Sequence, residues 1–497
     1  MFESAELGHK IDKATYDLEV PKLREALLDA QFDLAEKAKF PVIILIGGLD
    51  GAGRGETVNL LNEWMDPRFI QTHGMGDPSE EEMERPMMWR FWRSLPPKGR
   101  IGVFLGSWYT WPILNRVMGV TKPAELDQSL ERAKRLEKML TDEGALIIKF
   151  WLHLSKDMQE SRLKLLESNP KTRWRVTKRD WEHFKRYDKF TSVNERVIRH
   201  TSTAEAPWII IEGADARYRS LTVGKVILEA IRKRLTESDK KKDAAVRTAP
   251  LLSSIDKLNI LETLDLTQKL DKKKFDKELE KYQGKLAILT RDPKFKQITV
   301  IAVFEGNDAA GKGGSIRRIT SAVDARQYQV VPIAAPTEEE RAQPYLWRFW
   351  RHVPRKGRVT IFDRSWYGRV LVERVEKFCS EADWMRAYSE INDFEAQLER
   401  NQTVIVKFWL TISKEEQLRR FKEREKIGFK RFKITAEDWR NREKWDAYEQ
   451  AIGDMVDRTS SEIAPWTLVE ANDKNFARIK ILKTLCQRIE AALKKVK

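Results

Sequence analysis

The sequence predicts an α/β protein made of two tandem copies of one domain, each a mostly parallel β-sheet flanked by helices. Three observations predict this fold class: a constant internal offset aligns the two halves, short apolar segments rich in β-branched residues alternate with helical patterns in each half, and a glycine-rich turn follows the first of those segments. Strands that alternate with helices are typical of a parallel sheet with helices on both faces.

Internal repetition gives the first of these observations. Five motifs recur at one constant offset: Trp-Arg-Phe-Trp-Arg, Ser-Trp-Tyr, Lys-Phe-Trp-Leu, Asp-Trp and Ala-Pro-Trp. Their first occurrences begin at Trp89, Ser107, Lys149, Asp180 and Ala206, and each matching occurrence lies 258 residues later. One offset without an insertion indicates duplication of a whole domain rather than a solenoid of short repeats. We predict a first copy at residues 1–236, a linker at 237–268 and a second copy at 269–497.

Each copy contains the same predicted series of elements. A charged amphipathic helix opens each copy, at residues 17–39 and 269–290. A buried strand that leads into the glycine-rich turn follows, at residues 42–46 and 298–304. Further strands are predicted as aligned pairs at residues 101–105 and 359–362, 145–154 and 404–412, and 208–211 and 466–469.

Length, composition and charge exclude several classes of protein. The 497 residues, 41% hydrophobic and 34% charged, are enough for two or more domains with cores of their own. No apolar segment approaches the ~20 residues that span a bilayer, so we expect no membrane protein. The net charge of +16 predicts an anionic partner: nucleic acid, an acidic surface or a phosphorylated substrate. The two cysteines, Cys379 and Cys486, and the lack of a secretion signal predict a cytoplasmic location.

The glycine-rich turn of the second copy resembles a P-loop. Gly306, four residues, Gly311 and Lys312 match the pattern in which backbone N–H groups and a helix N-terminus hold phosphate while the lysine neutralises it. Gly313 stands where the usual Ser or Thr would bind Mg²⁺, so we predict Asp308 as a metal ligand. Phosphate contacts are predicted for Gly306, Asn307, Ala309, Ala310, Gly311 and Gly313. The alternative is a turn that only closes a βα unit.

A second acid follows the strand at residues 359–362. Asp363 lies where a Walker B aspartate holds Mg²⁺, and Arg364 and Arg369 follow it in Asp-Arg-Ser-Trp-Tyr-Gly-Arg. We therefore predict Asp363 as a metal ligand and both arginines as phosphate ligands, because one guanidinium group can bind two phosphoryl oxygens at once. The alternative for Asp363 is a helix cap.

Two further segments are basic. Residues 413–445 predict a basic helical hairpin of the kind that forms the lid of P-loop kinases, with Arg424 expected to reach phosphate; the alternative is a solvated charged face. In Trp-Arg-Phe-Trp-Arg we expect the aromatic residues in the core and Arg348 and Arg351 facing the site. The alternative there is an aromatic platform for nucleic-acid bases.

The first copy lacks the charged residues of the predicted site. Arg54 aligns with Lys312, and Leu105 with Asp363. Arginine does not reproduce the compact ammonium group of a P-loop lysine. Gly106, Trp111 and Leu166 replace Arg364, Arg369 and Arg424. We predict that the first copy has kept the fold and lost catalysis.

Together the repeated motifs, the loop and the Asp363 segment resemble the family 2 polyphosphate kinases, and the two fused domains resemble the class II members, the polyphosphate:AMP phosphotransferases. The resemblance implies a fold similar to thymidylate kinase and transfer of a terminal phosphoryl group from inorganic polyphosphate to AMP, giving ADP. It implies that Lys312 holds phosphate, and that Asp308 and Asp363 organise Mg²⁺, with Mn²⁺ as an alternative, and help to place or deprotonate the attacking oxygen. Arg364 and Arg424 would neutralise the transferring group.

Three alternatives remain open at this point: polyphosphate-dependent phosphorylation of ADP or guanine nucleotides, an ATP-dependent nucleotide kinase, and a polyanion-binding protein without catalysis. The expected partners are inorganic polyphosphate and AMP or ADP, with no membrane and no specific nucleic acid. Homo-oligomers are compatible with the sequence, which does not fix the oligomeric state.

Overall fold

A computed structural model of the chain describes residues 1–237, 259–428, 432 and 434–496. The strands of the first half are β1 (Val42–Gly48), β2 (Ile70–Gly74), β3 (Ile101–Leu105), β4 (Leu146–His153) and β5 (Trp208–Glu212). Those of the second half are β6 (Thr299–Gly306), β7 (Tyr328–Pro332), β8 (Val359–Asp363), β9 (Thr403–Thr411) and β10 (Trp466–Glu470).

Helices surround both sheets. The first half contains α1 (Lys13–Lys37), α2 (Arg54–Trp64), α3 (Glu80–Met83), α4 (Trp89–Arg93), α5 (Thr110–Val117), α6 (Pro123–Asp142), α7 (Lys156–Ser168), α8 (Lys178–Phe184), α9 (Tyr187–Thr201) and α10 (Ala216–Thr236). The second half contains α11 (Lys272–Arg291), α12 (Lys312–Thr320), α13 (Glu338–Arg341), α14 (Trp347–Trp350), α15 (Val372–Val375), α16 (Glu381–Arg400), α17 (Lys414–Lys426), α18 (Ala436–Glu443), α19 (Trp445–Thr459) and α20 (Lys474–Lys495).

The two sheets have the same topology. The first has the strand order β2-β3-β1-β4-β5 and the second the equivalent order β7-β8-β6-β9-β10, and neighbouring strands pair in parallel. The predicted α/β class and the tandem duplication are therefore confirmed. The eight predicted strands form close to their predicted bounds, because their continuous apolar sequences suit strands that are covered on both faces.

Sequence patterns missed one strand in each copy. The missed strands, β2 and β7, are edge strands of their sheets and pair only with β3 and β8. Their sequences, Ile-Gln-Thr-His-Gly and Tyr-Gln-Val-Val-Pro, lack a continuous apolar run because only part of each strand is buried. An edge strand can be polar without losing its pairing, so hydrophobicity alone does not reveal it.

The described residues form two compact units, one around each sheet. Each unit also includes a short segment from the other half of the sequence: Ser79–Trp89 belongs to the second unit and Pro336–Trp347 to the first. Most of the predicted linker, residues 238–258, lies outside the described residues, so the domain boundaries stay a prediction. In the part of the chain that the structure describes, no helix combines the length and apolarity needed to cross a bilayer.

The parallel sheet of the second unit places the predicted site residues at one edge. The carboxyl ends of β6 and β8 are adjacent, with Phe304 opposite Asp363 in the register, and the end of β9 lies on the other side of β6, with Gly306 opposite Leu410. Beyond β6 the chain continues toward the side of β8 and β7, whereas beyond the neighbouring β9 it continues toward β10. Ligands bind at such a switch point in open α/β sheets.

Candidate active site

The loop after β6 starts at a position that only glycine can occupy. Gly306 has φ +150°, and a Cβ there would lie 2.5 Å from the carbonyl oxygen of Leu410. One residue later, the side chain of Asn307 accepts a hydrogen bond from the Ile412 N–H at 3.1 Å, and its own N–H donates to the Leu410 carbonyl. These contacts fix the start of the loop to the end of β9, and they give Asn307 a structural role besides the predicted phosphate contact.

Free backbone donors face the open side of the loop. To the residues that the structure describes, the N–H groups of Ala309, Gly311, Lys312 and Gly313 donate no hydrogen bond. A Cβ built at Gly311 or Gly313 would meet no atom within 4 Å, so the space beside these groups is open. The Lys312 ammonium donates to the Gly306 carbonyl at 2.7 Å and curls back over the loop. Unpaired N–H groups at a helix N-terminus with a lysine beside them are suited to holding an anion.

The carbonyl groups of the loop are held from the side of α17. The guanidinium of Arg420 donates to the carbonyl oxygens of Ala309 at 3.0 Å and Ala310 at 3.1 Å, and also to those of Ala471 and Asn472. Because its carbonyl oxygens are bonded there, the loop directs its N–H groups away from α17. Arg420 belongs to the basic segment at residues 413–445, but no local pattern there predicts its contact with the loop. Its near-complete burial, at 2% exposure, follows from tertiary contacts and not from a local motif.

Asp308 lies between an arginine of the β8 edge and an asparagine of α18. Arg364 Nη2 is 3.3 Å from Asp308 Oδ1, and Asn441 Nδ2 donates to Asp308 Oδ2 at 2.9 Å. Although burial opposes it, the charge of Asp308 raises the pKa of Arg364. Arg364 also adopts φ +63°, a conformation that costs about 1 kcal/mol or more in a non-glycine residue and is concentrated at functional sites. The first copy has Gly106 at the aligned position.

Asp363 ends β8 as the sequence predicts, and its carboxylate accepts no hydrogen bond from the residues that the structure describes. Within the same residues, no group of three or more His, Cys, Asp or Glu side chains is arranged to hold a metal ion. Two carboxylates, Asp308 and Asp363, suit Mg²⁺ nevertheless, because this ion keeps several water ligands and is commonly bound by one or two carboxylates together with substrate phosphates.

Sequence patterns also missed Glu305, a buried acid at the end of β6. Ser365 Oγ donates to Glu305 Oε1 at 2.8 Å. Burial raises the pKa of Glu305, against the opposing charges of Lys312 and Arg364. The residue is hidden in an apolar strand, but the internal offset could have revealed it, because Gly47 takes its place in the first copy.

The other predicted residues lie around this centre with different partners. Arg348 Nη2 donates to the Ala334 carbonyl at 3.0 Å, and Arg369 Nε pairs with Glu373 at 3.1 Å. Arg351 is exposed, and Arg424 lies half-buried on α17 without a hydrogen bond or ion pair to the described residues. The structure thus brings Asp308, Lys312, Arg364 and Glu305 together. The phosphate-binding roles of Arg348, Arg351, Arg369 and Arg424 stay predictions.

In the first copy, the loop acid is paired differently. His183 Nδ1 is 2.7 Å from Asp50 Oδ2, and Arg54 makes an ion pair with the same carboxylate. His183 occupies the position of Asn441, so the bond between loop and helix persists with a different side chain. Arg54, which stands where the second copy has its P-loop lysine, pairs with the acid of its own loop.

In the first copy, the carboxylate of Glu56 supplies an internal negative charge. Glu56 aligns with Gly314, and its carboxylate accepts hydrogen bonds from Arg162 at 3.0 Å, Arg175 at 3.2 Å and Arg219 at 2.8 Å. Arg219 also donates to the carbonyl oxygens of Ala52 and Gly213, as Arg420 does at the equivalent positions of the second copy. Three guanidinium groups therefore have a carboxylate of the protein itself as their counter-charge.

The sequence matches the profile of the polyphosphate kinase 2 family twice, over residues 10–240 and over residues 269–497. The chain belongs to the polyphosphate kinase 2 family. Its relatives in this family include a polyphosphate:AMP phosphotransferase of Pseudomonas aeruginosa, 60% identical over 497 residues with 100% of both chains covered. A second, from Acinetobacter johnsonii, is 37% identical and has the same name, with 94% of this chain and 95% of the relative covered.

A solved structure supports the fold of this polyphosphate kinase 2 chain. The crystal structure of a polyphosphate kinase 2 from Pseudomonas aeruginosa superposes with a TM-score of 0.90 at 58% identity and covers 100% of both chains. The family assignment implied by the sequence motifs is thereby confirmed, for the first copy as well as for the second.

Proposed function

We propose that this protein transfers the terminal phosphoryl group of inorganic polyphosphate to AMP, giving ADP, at the site of the second copy. The observation that carries the proposal is the convergence of an open P-loop, Lys312, Asp308 and Arg364 at the edge where β8 ends in Asp363. Phosphoryl transfer needs positioned cations and anion-binding N–H groups more than covalent chemistry, and this edge supplies both. The names of the full-length relatives support polyphosphate as donor and AMP as acceptor.

Residues 269–497 would hold the active copy and residues 1–236 the inactive one. Support comes from the aligned positions: Arg54 is paired with the acid of its own loop, and Glu56 satisfies three guanidinium groups. A phosphate entering the first copy would have to displace that carboxylate from its partners.

Within the proposed site each group has a separate task. The loop N–H groups and Lys312 would bind the donor phosphates, and Arg364 would offset the charge that spreads over the transferring group. Asp308 and Asp363 would hold Mg²⁺, with Mn²⁺ as a substitute. When bound, that ion would offset charge on phosphate oxygens. Asn441 orients Asp308, and Glu305 lies behind Lys312 and Arg364 as a buried acid.

Donor and acceptor screening tests this function. Full-length protein with Mg²⁺, long-chain polyphosphate and AMP should form ADP, and ADP and guanine nucleotides should be poorer acceptors. A faster reaction with ATP as donor would instead establish an ATP-dependent nucleotide kinase. Polyphosphate binding with no product from any acceptor would establish a binding protein.

A further inference from the structure

Three cationic side chains lie beside the first turns of α12, outside the centre described above: Arg317, Arg318 and Arg478. A fourth, Lys474, lies one turn before Arg478 on the same face of α20. We call this group the α12 cation cluster. Arg478, from α20, rests on the first turn of α12, since a Cβ at Gly314 would lie 3.2 Å from its Nη2. Arg318 Nη1 donates to the Gly314 carbonyl at 3.2 Å, and Arg317 is exposed one residue before it.

These cations have no carboxylate partner in the described part of the chain. The side chains of Arg317, Lys474 and Arg478 make no hydrogen bond or ion pair to described residues, and among these residues the Arg318 guanidinium donates only to the Gly314 carbonyl. Burial and the charges of Arg318, Arg317 and Arg420 lower the pKa of Arg478 to about 10. Burial, and then the charge of Arg420, lowers the pKa of Lys474. The cluster therefore contains mutual repulsion that a bound anion would relieve.

The carboxylates nearby are already engaged. Asp473 caps α20 by accepting a hydrogen bond from the Phe476 N–H at 2.7 Å. Glu416 is held by Arg419 and Arg420 at 2.6 to 2.7 Å. No rearrangement of these side chains would neutralise the cluster without breaking a bond that the structure already contains.

The first copy provides an internal comparison. The residues aligned with Arg317, Arg318, Lys474 and Arg478 are Asn59, Leu60, Ala216 and Ser220. All four cations are absent from the copy whose P-loop lysine and metal-site acid are also absent. In the same copy Glu56 replaces Gly314 and puts a negative charge on the first turn of the helix. The cluster is thus present in the copy that has the P-loop lysine and absent from the copy that shares only the fold.

We propose that the α12 cation cluster binds the part of a linear polyphosphate chain that lies beyond the phosphates held by the P-loop. The inference rests on the proposed function and adds a second contact region for the donor. AMP offers a single phosphate group, whereas polyphosphate offers a row of negative charges, and only the latter can contact the loop at one end of α12 and the cluster along its side at the same time. A longer donor would gain affinity through these additional ion pairs.

The test uses full-length protein and two donors, long-chain polyphosphate and tripolyphosphate. The variant Lys474→Ala/Arg478→Ser carries the residues of the first copy, which that fold already accommodates. Lys483→Ala/Lys494→Ala removes the same charge from exposed positions on another face of α20 and serves as the control. We expect the variant to bind long-chain polyphosphate about tenfold more weakly, since a charge-assisted hydrogen bond contributes about 1.5 kcal/mol or more. The slope of affinity against salt should also decrease.

Kinetics complete the test. The KM for long-chain polyphosphate should rise in the variant, while the KM for tripolyphosphate and the KM for AMP should not. Equal effects in the variant and the control, equal effects on both donors, or a rise in the KM for AMP would each overturn the proposal. Direct binding of polyphosphate separates this proposal from the proposed function, because the cluster can be scored even if AMP is not phosphorylated. Conversely, the variant could transfer phosphate normally and bind long-chain polyphosphate as tightly as the unaltered protein does. That result would overturn the role of the cluster and leave the proposed function standing.

Discussion

Lys407 and Glu395 form an ion pair of 2.8 Å in which neither side chain has any exposed surface. The same carboxylate accepts hydrogen bonds from the hydroxyl of Tyr367 at 2.6 Å and the indole N–H of Trp366 at 3.1 Å. Lys407 also donates to the Thr459 carbonyl at 2.7 Å. A buried charge pair is tolerated only when such bonds satisfy the remaining donors and acceptors.

The first copy contains the same network, and this explains two of the duplicated motifs. Lys149 and Glu137 are 2.7 Å apart, and Tyr109 and Trp108 donate to Glu137. Ser-Trp-Tyr and Lys-Phe-Trp-Leu therefore recur because they build the interior of each unit, including that of the first copy, where Arg54 and Leu105 replace Lys312 and Asp363.

We expect Glu395→Gln to destabilise the second unit by about 3–5 kcal/mol, because it leaves the Lys407 ammonium buried without a counter-charge. Thermal unfolding followed by tryptophan fluorescence should show a clearly lower midpoint. Glu490→Gln, which breaks an exposed pair with Lys285, should barely change it. Similar midpoints for the two variants would contradict the structural role of the network.

The sequence predicted those strands and loops of this protein that have a local sequence pattern. Apolar runs predicted eight strands, and glycine spacing predicted the loop from Gly306 and the lysine at its end. Arg420 and Asn441 were missed because they reach the loop from helices more than 100 residues further along the chain. No spacing rule reports such a contact. Glu305 was missed because a single acid in an apolar strand has no motif of its own.

Lys312 and Arg54 occupy aligned positions and provide a matched pair of variants. Lys312→Ala should lower kcat by at least ~10²-fold, because it removes the cation proposed to bind the donor phosphates. Arg54→Ala should leave the rate of ADP formation largely unchanged, since its guanidinium is paired with Asp50. Steady-state assays with polyphosphate and AMP distinguish the two. Equal losses would show that the first copy takes part in catalysis.

Asn441 orients Asp308, so its loss should affect turnover more than stability. Asn441→Ala removes the hydrogen bond to Asp308 Oδ2, and we expect kcat to fall about tenfold or more, the equivalent of one hydrogen bond to a charged group. Asn441→His introduces the side chain that bonds the loop acid in the first copy and should recover part of the loss. An unchanged kcat in the alanine variant, with a lowered unfolding midpoint, would assign Asn441 to stability alone.

Asp363 is predicted to bind Mg²⁺, so its removal should change the metal requirement. Chelation with EDTA should abolish transfer by the unaltered protein, and Mg²⁺ should restore it. Asp363→Asn should raise the Mg²⁺ concentration needed for half-maximal activity, because a neutral amide is a weaker ligand than a carboxylate. Asp457→Asn, at an exposed position on α19, controls for the lost charge. Identical Mg²⁺ titrations for both variants would exclude Asp363 as a ligand.

Glu305 makes stability depend on pH in a direction that can be derived. Burial raises the pKa of Glu305 in the folded protein, so the folded state keeps its proton to a higher pH than the unfolded chain does. The contribution of the residue to stability is thus present below the ordinary pKa of a glutamate and is lost as the pH rises through the folded pKa. Glu305→Gln does not ionise and can still accept the hydrogen bond from Ser365.

The stability of the Glu305→Gln variant relative to the unaltered protein should consequently increase with pH over that range. Thermal midpoints of both proteins, measured in matched buffers from acid to neutral pH, give this difference directly. Glu443→Gln, at an exposed position on α18, should show no such trend. A difference that stays constant would mean that the charges of Lys312 and Arg364 offset the cost of burying Glu305, and one that decreases with pH would mean that they outweigh it.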